Sequence, residues 1–195
     1  MLEHRAPLDQ IARARNTEPI DDPSLRVAAI TDRRALLLQG RPDDPVLRDA
    51  VQRAFGVELP GPLAMSARAG TAILWLSPTE WLIELPASAN DSGRIIAGAL
   101  QATLAALTDM SDAFAGFDID GARAVDVLMS GCSLELTSSA FATGRVARTA
   151  IADLPVVIRR LTGGESPAAT HFRCWVDRSL AEHLWSWLAE SPARG

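Results

Sequence analysis

The chain has 195 residues, of which 48% are apolar, and it carries a formal net charge of -5. A chain of this length forms one domain or two small halves and buries roughly 70% of the surface that its unfolded state exposes. Its charges are spread along the sequence, which excludes a basic nucleic-acid footprint and a polybasic membrane patch. All 19 residues counted as Lys or Arg are Arg, which excludes a Schiff-base lysine, a Walker-type lysine and a catalytic lysine base.

The two cysteines, Cys132 and Cys174, are far apart in the sequence and belong to no C-x-x-C pair. They offer no zinc ligand set and indicate a reduced environment. The first twenty residues mix acidic residues with Arg and lack the apolar run of a signal peptide. No stretch approaches the roughly 18 apolar residues that span a bilayer. We therefore predict a cytoplasmic protein.

Residues 1–24 contain three prolines and show no steady apolar period, which predicts an extended N-terminal arm. Such arms fray unless they pack against something. We predict that the arm packs along the domain or a neighbouring chain. Arg5, Arg13 and Arg15 would then be available for carboxylate contacts at an interface.

The rest of the chain alternates strand-like and helix-like patterns. The first two predicted strands form one hairpin and the next two form a second. The predicted strands are residues 25–30, 34–39, 72–76, 80–85, 113–119, 145–152, 156–161 and 171–177. The predicted helices are residues 45–55, 94–107, 120–130 and 179–190.

Capping residues set the predicted helix boundaries. Asp44 and Gly56 bracket the first helix as N-cap and C′ glycine, and Asp120 is predicted to cap the third. Ser179 and Glu182 form an S-x-x-E capping box at the start of the last helix.

The order of these elements predicts an α+β fold of antiparallel sheets with packed helices, because strands and helices do not alternate steadily. A hairpin followed by a helix at 72–107 recurs at 156–190. Residues 25–195 are thus predicted to form a single α+β domain. Two similar halves, 25–107 and 108–195, are one interpretation of the recurrence, and chance is the other.

The histidines and cysteines predict no reactive site. No phosphate-loop, serine-hydrolase or zinc-protease motif occurs, and His171 and His183 lack metal-ligand spacing. His4 falls in the arm. Cys132 follows a helix end, where a thiolate is disfavoured, and Cys174 shares a strand face with apolar residues.

Four aspartates cluster around one predicted strand, namely Asp109, Asp112, Asp118 and Asp120. Their spacing fits loop, edge and cap positions better than paired catalytic carboxylates. The sequence therefore predicts no catalytic, cofactor-binding or metal-binding residue in this chain.

The last predicted helix carries two tryptophans. On a helical wheel Trp187 lies at the edge of the apolar stripe, whereas Trp185 falls outside it. A large exposed aromatic side chain is a favoured interface anchor. We therefore predict that Trp187 belongs to the core and that Trp185 contacts a partner subunit.

Several ordered motifs resemble the gamma subunit of heterotetrameric sarcosine oxidase. Residues 74–82 resemble the L-W-L-G-P-D-E-W-L segment of that family, with Ser77 and Thr79 in place of its Gly and Asp. Residues 120–136 resemble its G-x-x-A-x-D-V-L and G-C-P-L-D-L motifs, with Ser133 in place of Pro. Residues 179–188 resemble its S-x-A-x-x-L-W-x-W-L ending.

The resemblance implies a fold like the folate-binding domain of glycine-cleavage aminomethyltransferases. It also implies a complex that oxidatively demethylates sarcosine to glycine, passes the one-carbon unit to tetrahydrofolate and produces hydrogen peroxide. In that family the alpha and beta subunits hold FAD, FMN, NAD and folate, and the delta subunit holds zinc. The resemblance thus implies a non-catalytic gamma subunit, with the alpha, beta and delta subunits as partners and with neither nucleic acid nor membrane.

Two alternatives share this fold. A stand-alone folate-dependent aminomethyltransferase-like enzyme would need a carboxylate near the folate amine, and Asp109 is the nearest candidate. A folate-binding repair protein of the iron-sulfur assembly type carries the signature K-G-C-[YF]-x-G-Q. Of that signature this chain keeps only Gly131 and Cys132.

Overall fold

The computed structural model describes residues 20–22, 24–89, 92–101, 103–161 and 170–191. Contacts divide the chain into two compact units. The first unit is 32–111, and the second unit combines the residues up to 31 with those from 112 onward. Among the described helices, none has both the length and the apolar content needed to cross a bilayer.

Eleven strands and four α-helices make up the described part of the chain. The strands are β1 (Ile20–Asp22), β2 (Leu25–Ile30), β3 (Arg33–Gln39), β4 (Met65–Arg68), β5 (Thr71–Ser77), β6 (Glu80–Pro86), β7 (Ala106–Asp109), β8 (Phe114–Gly121), β9 (Val146–Ile151), β10 (Leu154–Arg160) and β11 (Thr170–Asp177). The helices are α1 (Pro45–Phe55), α2 (Ser92–Leu100), α3 (Ala124–Ser130) and α4 (Ala181–Glu190), with a 3-10 turn at Arg178–Leu180.

The first unit is a five-stranded antiparallel sheet in the order β4-β5-β6-β3-β7. Its core joins one face of the sheet to α1 and α2, with Leu47, Ile83 and Ile96 fully buried. The Asp44 carboxylate caps α1 by accepting the Val46 N–H at 2.8 Å. Gly56 ends the helix in the left-handed conformation (φ 67°). The predicted boundaries of this helix are confirmed.

The second unit is a six-stranded antiparallel sheet in the order β1-β2-β8-β11-β10-β9. Helices α3 and α4 contribute Leu128, Leu184 and Leu188 to the core on one face of this sheet. Strand β8 supplies Phe117 and Ile119 to the same core, both fully buried. The α+β prediction with antiparallel sheets is therefore confirmed.

The two units share one topology. In each, a strand is followed by a helix, three strands and a second helix, which gives β3-α1-β4-β5-β6-α2 and β8-α3-β9-β10-β11-α4. The spatial orders β4-β5-β6-β3 and β9-β10-β11-β8 correspond strand by strand. A fifth strand pairs with β3 or with β8. In the first unit this strand is β7, which follows the second helix. In the second unit it is β2, which precedes β8 in the chain.

This arrangement corrects the first predicted hairpin. The segments 25–30 and 34–39 do not pair, because β2 pairs with β1 and β8 whereas β3 pairs with β6 and β7. Strand β2 joins the second unit because its Leu25 and Val27 complete that unit's core. The unit boundaries consequently differ from the predicted halves 25–107 and 108–195, with residues 25–31 and 108–111 changing sides.

The end of the second helix also differs from the prediction. Helix α2 ends at Leu100 rather than at 107, since a turn from Leu100 O to Thr103 N follows and residues 106–109 pair with the edge of β3. Leu104 would lie on the apolar face of a helix that ran to 107, but it is 95% exposed.

Capping also differs at two helices. Asp120 lies within β8 and caps no helix, because the strand continues to Gly121. Before the last helix the Asp177 carboxylate caps the 3-10 turn by accepting the Ser179 N–H at 2.8 Å, and α4 begins after Leu180 without a side-chain cap, unlike the capping box predicted at Ser179 and Glu182.

Gly131 brings two of the sequence motifs into contact. A Cβ atom at this position would lie 2.5 Å from Cζ2 of Trp187 and 3.1 Å from the Ala152 backbone nitrogen. The backbone here has φ -121°, so space rather than conformation requires glycine. The G-C motif and the W-x-W-L motif therefore depend on each other through this contact.

We expect Gly131→Ala to destabilise the chain by about 1–3 kcal/mol, because the added methyl group overpacks the ring of Trp187. Gly98→Ala is the matched control. Gly98 lies in α2, and no atom lies within 4 Å of the point that an alanine methyl group would occupy, so alanine should stabilise the helix by up to about 1 kcal/mol. Chemical denaturation measures both, and equal effects of the two substitutions would contradict the packing argument.

Candidate functional site

A partly buried charged cluster in the second unit lies on the sheet face opposite the helices. Asp118 on β8 faces Arg173 on β11 across the strand pair. The Arg173 guanidinium donates to both carboxylate oxygens, with Nε to Oδ1 at 2.8 Å and Nη2 to Oδ2 at 2.7 Å. His171 places Nε2 3.4 Å from Asp118 Oδ1. This two-point pairing fixes the carboxylate in one orientation.

The electrostatics of this cluster favour a charged carboxylate. Burial alone raises the pKa of Asp118, but the neighbouring His171 and Arg173 outweigh burial and lower it to about 2. A carboxylate with so low a pKa is a weak base near neutral pH. The cluster therefore acts as a structural ion pair rather than as a proton acceptor.

Asp120 occupies the next position on the same sheet face, directly opposite both His171 on β11 and Arg26 on β2. Its Oδ1 atom is buried without a hydrogen-bond partner. Asp118 and Asp120 therefore lie in one charged row on the sheet face opposite Phe117 and Ile119, and Asp120 is part of this row rather than the predicted helix N-cap.

Asp109, the candidate carboxylate of the stand-alone enzyme, is also paired. Its Oδ2 accepts from Arg34 Nη2 at 2.5 Å, and its Oδ1 accepts from the Ser111 hydroxyl at 2.6 Å. Burial raises the pKa of Asp109, but the hydrogen bonds from Ser111 and Arg34 outweigh it and lower that pKa. Asp109 joins β7 to β3 and is a poor general base.

The cysteines and the last histidine carry no reactive arrangement. Cys174 is completely buried, and burial raises the pKa of its thiol far above its usual value. Cys132 is 8% exposed, and its sulfur lies 3.5 Å from the Thr149 hydroxyl oxygen. His183 is exposed on α4. Within the described residues no group of three His, Cys, Asp or Glu side chains is arranged to hold a metal ion.

Trp185 lies in the core, contrary to the prediction. Its side chain is 6% exposed, and its ring packs on Phe117 with centroids 5.8 Å apart. Trp187 is the less buried of the two. The helical wheel counts Leu180 in the apolar stripe, but Leu180 belongs to the 3-10 turn that precedes the helix. The buried stripe of α4 is instead Ala181, Leu184, Trp185 and Leu188.

Two consequences follow for the predicted interface residues. The assignment of Trp185 as an interface anchor was based on its exposure and loses that basis. Arg5, Arg13 and Arg15 lie outside the described residues. The described end of the arm, β1, is extended and pairs with β2.

An open groove of about 640 Å³ runs along α1 and the loop that follows it. Its lining mixes polar and apolar residues and comprises Pro45, Arg48, Asp49, Gln52, Gly56, Val57, Glu58 and Leu59. The Asp49 carboxylate already pairs with Arg53 at 2.7 Å, and Arg48 Nε donates to the Pro42 carbonyl at 2.7 Å. These contacts leave the groove without a convergent set of acid, base and nucleophile.

Comparison with known proteins identifies the family. Residues 39–194 match the family model described as "Sarcosine oxidase, gamma subunit family". The chain belongs to the sarcosine oxidase gamma subunit family. This match includes most of both units and confirms the resemblance drawn from the sequence motifs.

Curated members of the gamma subunit family show the same relationship. The chain is 34% identical over 120 residues to sarcosine oxidase subunit gamma of an Arthrobacter species, covering 60% of this chain and 58% of that protein. It is 31% identical over 147 residues to the protein of that name from Corynebacterium sp. (strain U-96), covering 73% and 67% respectively. The match thus spans less than two thirds of the Arthrobacter protein.

Solved structures support the fold. A chain of the heterotetrameric sarcosine oxidase from Corynebacterium sp. U-96 matches with a TM-score of 0.86 and 24% identity, covering 99% of this chain and 96% of that chain. The glycine cleavage system aminomethyltransferase T from Bartonella henselae matches with a TM-score of 0.64 and 10% identity, covering 93% and 56%. At these identities the likeness shows the fold alone, and it confirms the predicted aminomethyltransferase-like class.

Because Trp185 is buried, we expect Trp185→Ala to destabilise the chain by about 3–5 kcal/mol. Trp185→Phe should cost less, because it keeps a ring against Phe117 and removes an indole Nε1 that is buried without a hydrogen-bond partner. Urea denaturation of the two variants measures the difference. If Trp185→Ala lowers the free energy of unfolding by less than about 1 kcal/mol, the side chain is exposed rather than buried.

The lowered pKa of Asp118 predicts a pH-dependent contribution to stability. Its folded pKa of about 2 lies below the unfolded value of 3.8, so the stabilisation is present above about pH 4 and is lost as the pH falls through 2. We expect Asp118→Asn to lower the free energy of unfolding by about 2 kcal/mol at pH 7, with the gap to the wild type narrowing toward pH 2.

The matched control is Asp153→Asn, at the exposed turn between β9 and β10. It should change stability by less than about 0.5 kcal/mol. Denaturation curves between pH 2.5 and 7 test both variants. A loss for Asp118→Asn that stays constant over this range would contradict the ion-pair account.

Proposed function

We propose that this chain is the non-catalytic gamma subunit of a heterotetrameric sarcosine oxidase. The observation that carries the proposal is the family match over residues 39–194. The complex would oxidise sarcosine, release glycine, transfer the one-carbon unit to tetrahydrofolate and pass two electrons to oxygen to give hydrogen peroxide. The alpha, beta and delta subunits are the proposed partners, and the cytoplasm is the proposed location.

Three features of the structure support a non-catalytic role. The Asp118 carboxylate is fixed by Arg173, and that of Asp109 is fixed by Arg34. The Cys174 thiol is sealed in the core. These potential acids, bases and nucleophiles are therefore already engaged in holding the fold together. Catalysis would take place on FAD, FMN, NAD and folate in the alpha and beta subunits, with zinc in the delta subunit.

Co-expression tests the proposal. The tagged chain should co-purify with the other three subunits in equal amounts, and the assembled complex should show flavin absorbance and sarcosine-dependent peroxide formation. The isolated chain should bring no flavin, zinc or folate with it. Metal analysis, absorbance spectra and folate titration of the isolated chain measure this.

The main alternative is a stand-alone aminomethyltransferase-like enzyme or folate-binding protein. Micromolar folate affinity of the isolated chain, together with failure to co-purify with the other subunits, would favour that alternative. Asp109→Asn distinguishes the two, because it should abolish activity only if the chain itself is the enzyme.

A further inference from the structure

The sheet of the first unit ends at β7, whose outer side is open. Strand β7 pairs with β3 on one side, and in the part of the chain that the structure describes no strand lies on its other side. The Met110 N–H donates to the Ala35 carbonyl at 2.8 Å, so these two residues form a hydrogen-bonded pair. Such pairs alternate along antiparallel strands, which turns the N–H and C=O groups of Leu107 and Asp109 away from β3. These groups are available to a further strand.

The equivalent edge of the second unit is covered. Strand β2 occupies the place beside β8 that β7 occupies beside β3, and both strands are antiparallel to that neighbour. On its outer side β2 pairs antiparallel with β1, an extended segment of three residues that lies far before β8 in the chain. The shared topology thus accepts a short extended segment at this edge. The four residues of β7 are long enough for the same type of pairing.

An exposed leucine lies next to the open edge. Leu104 is two residues before the start of β7, and 95% of its surface is accessible to solvent. The other large apolar side chains that are exposed in the described part, Val46, Leu63 and Met129, are only 37–45% accessible. A leucine left in water forgoes the free energy of its burial. Contacts within the isolated chain therefore leave the apolar surface of Leu104 uncovered.

The edge of β7 carries little protection against pairing. Natural edge strands are commonly protected by Lys, Pro or charged side chains. The residues of β7 are Ala-Leu-Thr-Asp, and the Asp109 carboxylate already accepts from Arg34 Nη2 at 2.5 Å and from the Ser111 hydroxyl at 2.6 Å. The strand therefore presents its outer backbone groups without an unpaired charge that would oppose an incoming strand.

We propose that the outer edge of β7 binds an extended segment of another subunit, which pairs antiparallel with β7 as β1 does with β2. This inference rests on the proposed function. The outward N–H and C=O groups of Leu107 and Asp109 supply the hydrogen bonds of strand addition. The segment has no proline at the positions that pair with these two residues, because proline lacks the N–H donor. It carries an aliphatic or aromatic side chain at the end that covers Leu104.

A second copy of this chain is a poorer occupant. Two four-residue edges paired with each other span only about 13 Å, and such a contact falls well short of the roughly 1,000 Å² that a stable interface buries. Strand β1 pairs over three residues because the chain itself tethers it to β2. A segment of a subunit that is already bound elsewhere in the complex has the same advantage, since tethering raises its effective concentration.

The test uses Leu104→Ser and Thr108→Lys, with Ala150→Lys as the matched control. Thr108 is exposed on β7, and Ala150 is exposed on the outer strand β9, so both lysines add one charge to a sheet edge. All three variants should leave the Tm of the isolated chain within about 2 °C of the wild type. In a binding isotherm with the other three subunits, Leu104→Ser and Thr108→Lys should raise Kd about tenfold or more, whereas Ala150→Lys should leave it unchanged.

Hydrogen exchange gives a readout that is specific to strand addition. The amide protons of Leu107 and Asp109 should exchange rapidly in the isolated chain and slowly in the complex, because the added strand engages them. One segment of a partner subunit should gain protection at the same time. Both gains should disappear with Thr108→Lys and persist with Ala150→Lys.

Each other outcome overturns the inference. Unchanged affinity of both β7 variants, in a complex that the wild-type chain forms normally, would reject the docking edge and leave the proposed function intact. An equal loss with Ala150→Lys, or a loss without amide protection in the wild-type complex, would reject strand addition. A lower Tm of Leu104→Ser would show that this side chain packs within its own chain. Self-association of the isolated chain that Thr108→Lys abolishes would identify a second copy as the occupant. Failure of the wild-type chain to assemble would reject the proposed function together with the docking edge.

Discussion

The pairing of β8 with its two neighbours supports most of the second unit. This strand lies between β2 and β11, and its two faces have different tasks. On one face Phe117 packs against Trp185 of α4. On the other face Asp118 binds Arg173 of β11. Since β2 reaches β8 from the N-terminal part of the chain, the unit is complete only when two distant segments meet.

The paired carboxylates of both units stabilise the fold. Contacts from Ser111 and Arg34 lower the pKa of Asp109, and contacts from His171 and Arg173 lower the pKa of Asp118. A buried ion pair is costly to desolvate but fixes the register of the strands that carry it.

The shared topology of the two units explains why the pattern of a hairpin followed by a helix occurs twice in the sequence. In each unit two helices cover one face of the sheet. One helix follows β3 or β8, and the other follows β6 or β11. The edge strand is the exception, because β7 and β2 reach equivalent places from different ends of a unit. Local hairpin and helix signals repeat accordingly, whereas the edge strand leaves no repeated signal. For this reason the pattern at 72–107 and 156–190 was visible and the role of β2 was not.

The sequence by itself determined the elements whose causes are local. Asp44 and Gly56 delimit α1, the turn at Pro78 closes the β5–β6 hairpin, and the ordered motifs identify the family. Tertiary structure decided the partners of β2 and the end of α2. It also decided the burial of Trp185. Strand partners depend on contacts between distant residues, and the face that a short helix buries shifts when its first turn is 3-10 rather than α. Neither effect is encoded in the spacing of neighbouring residues.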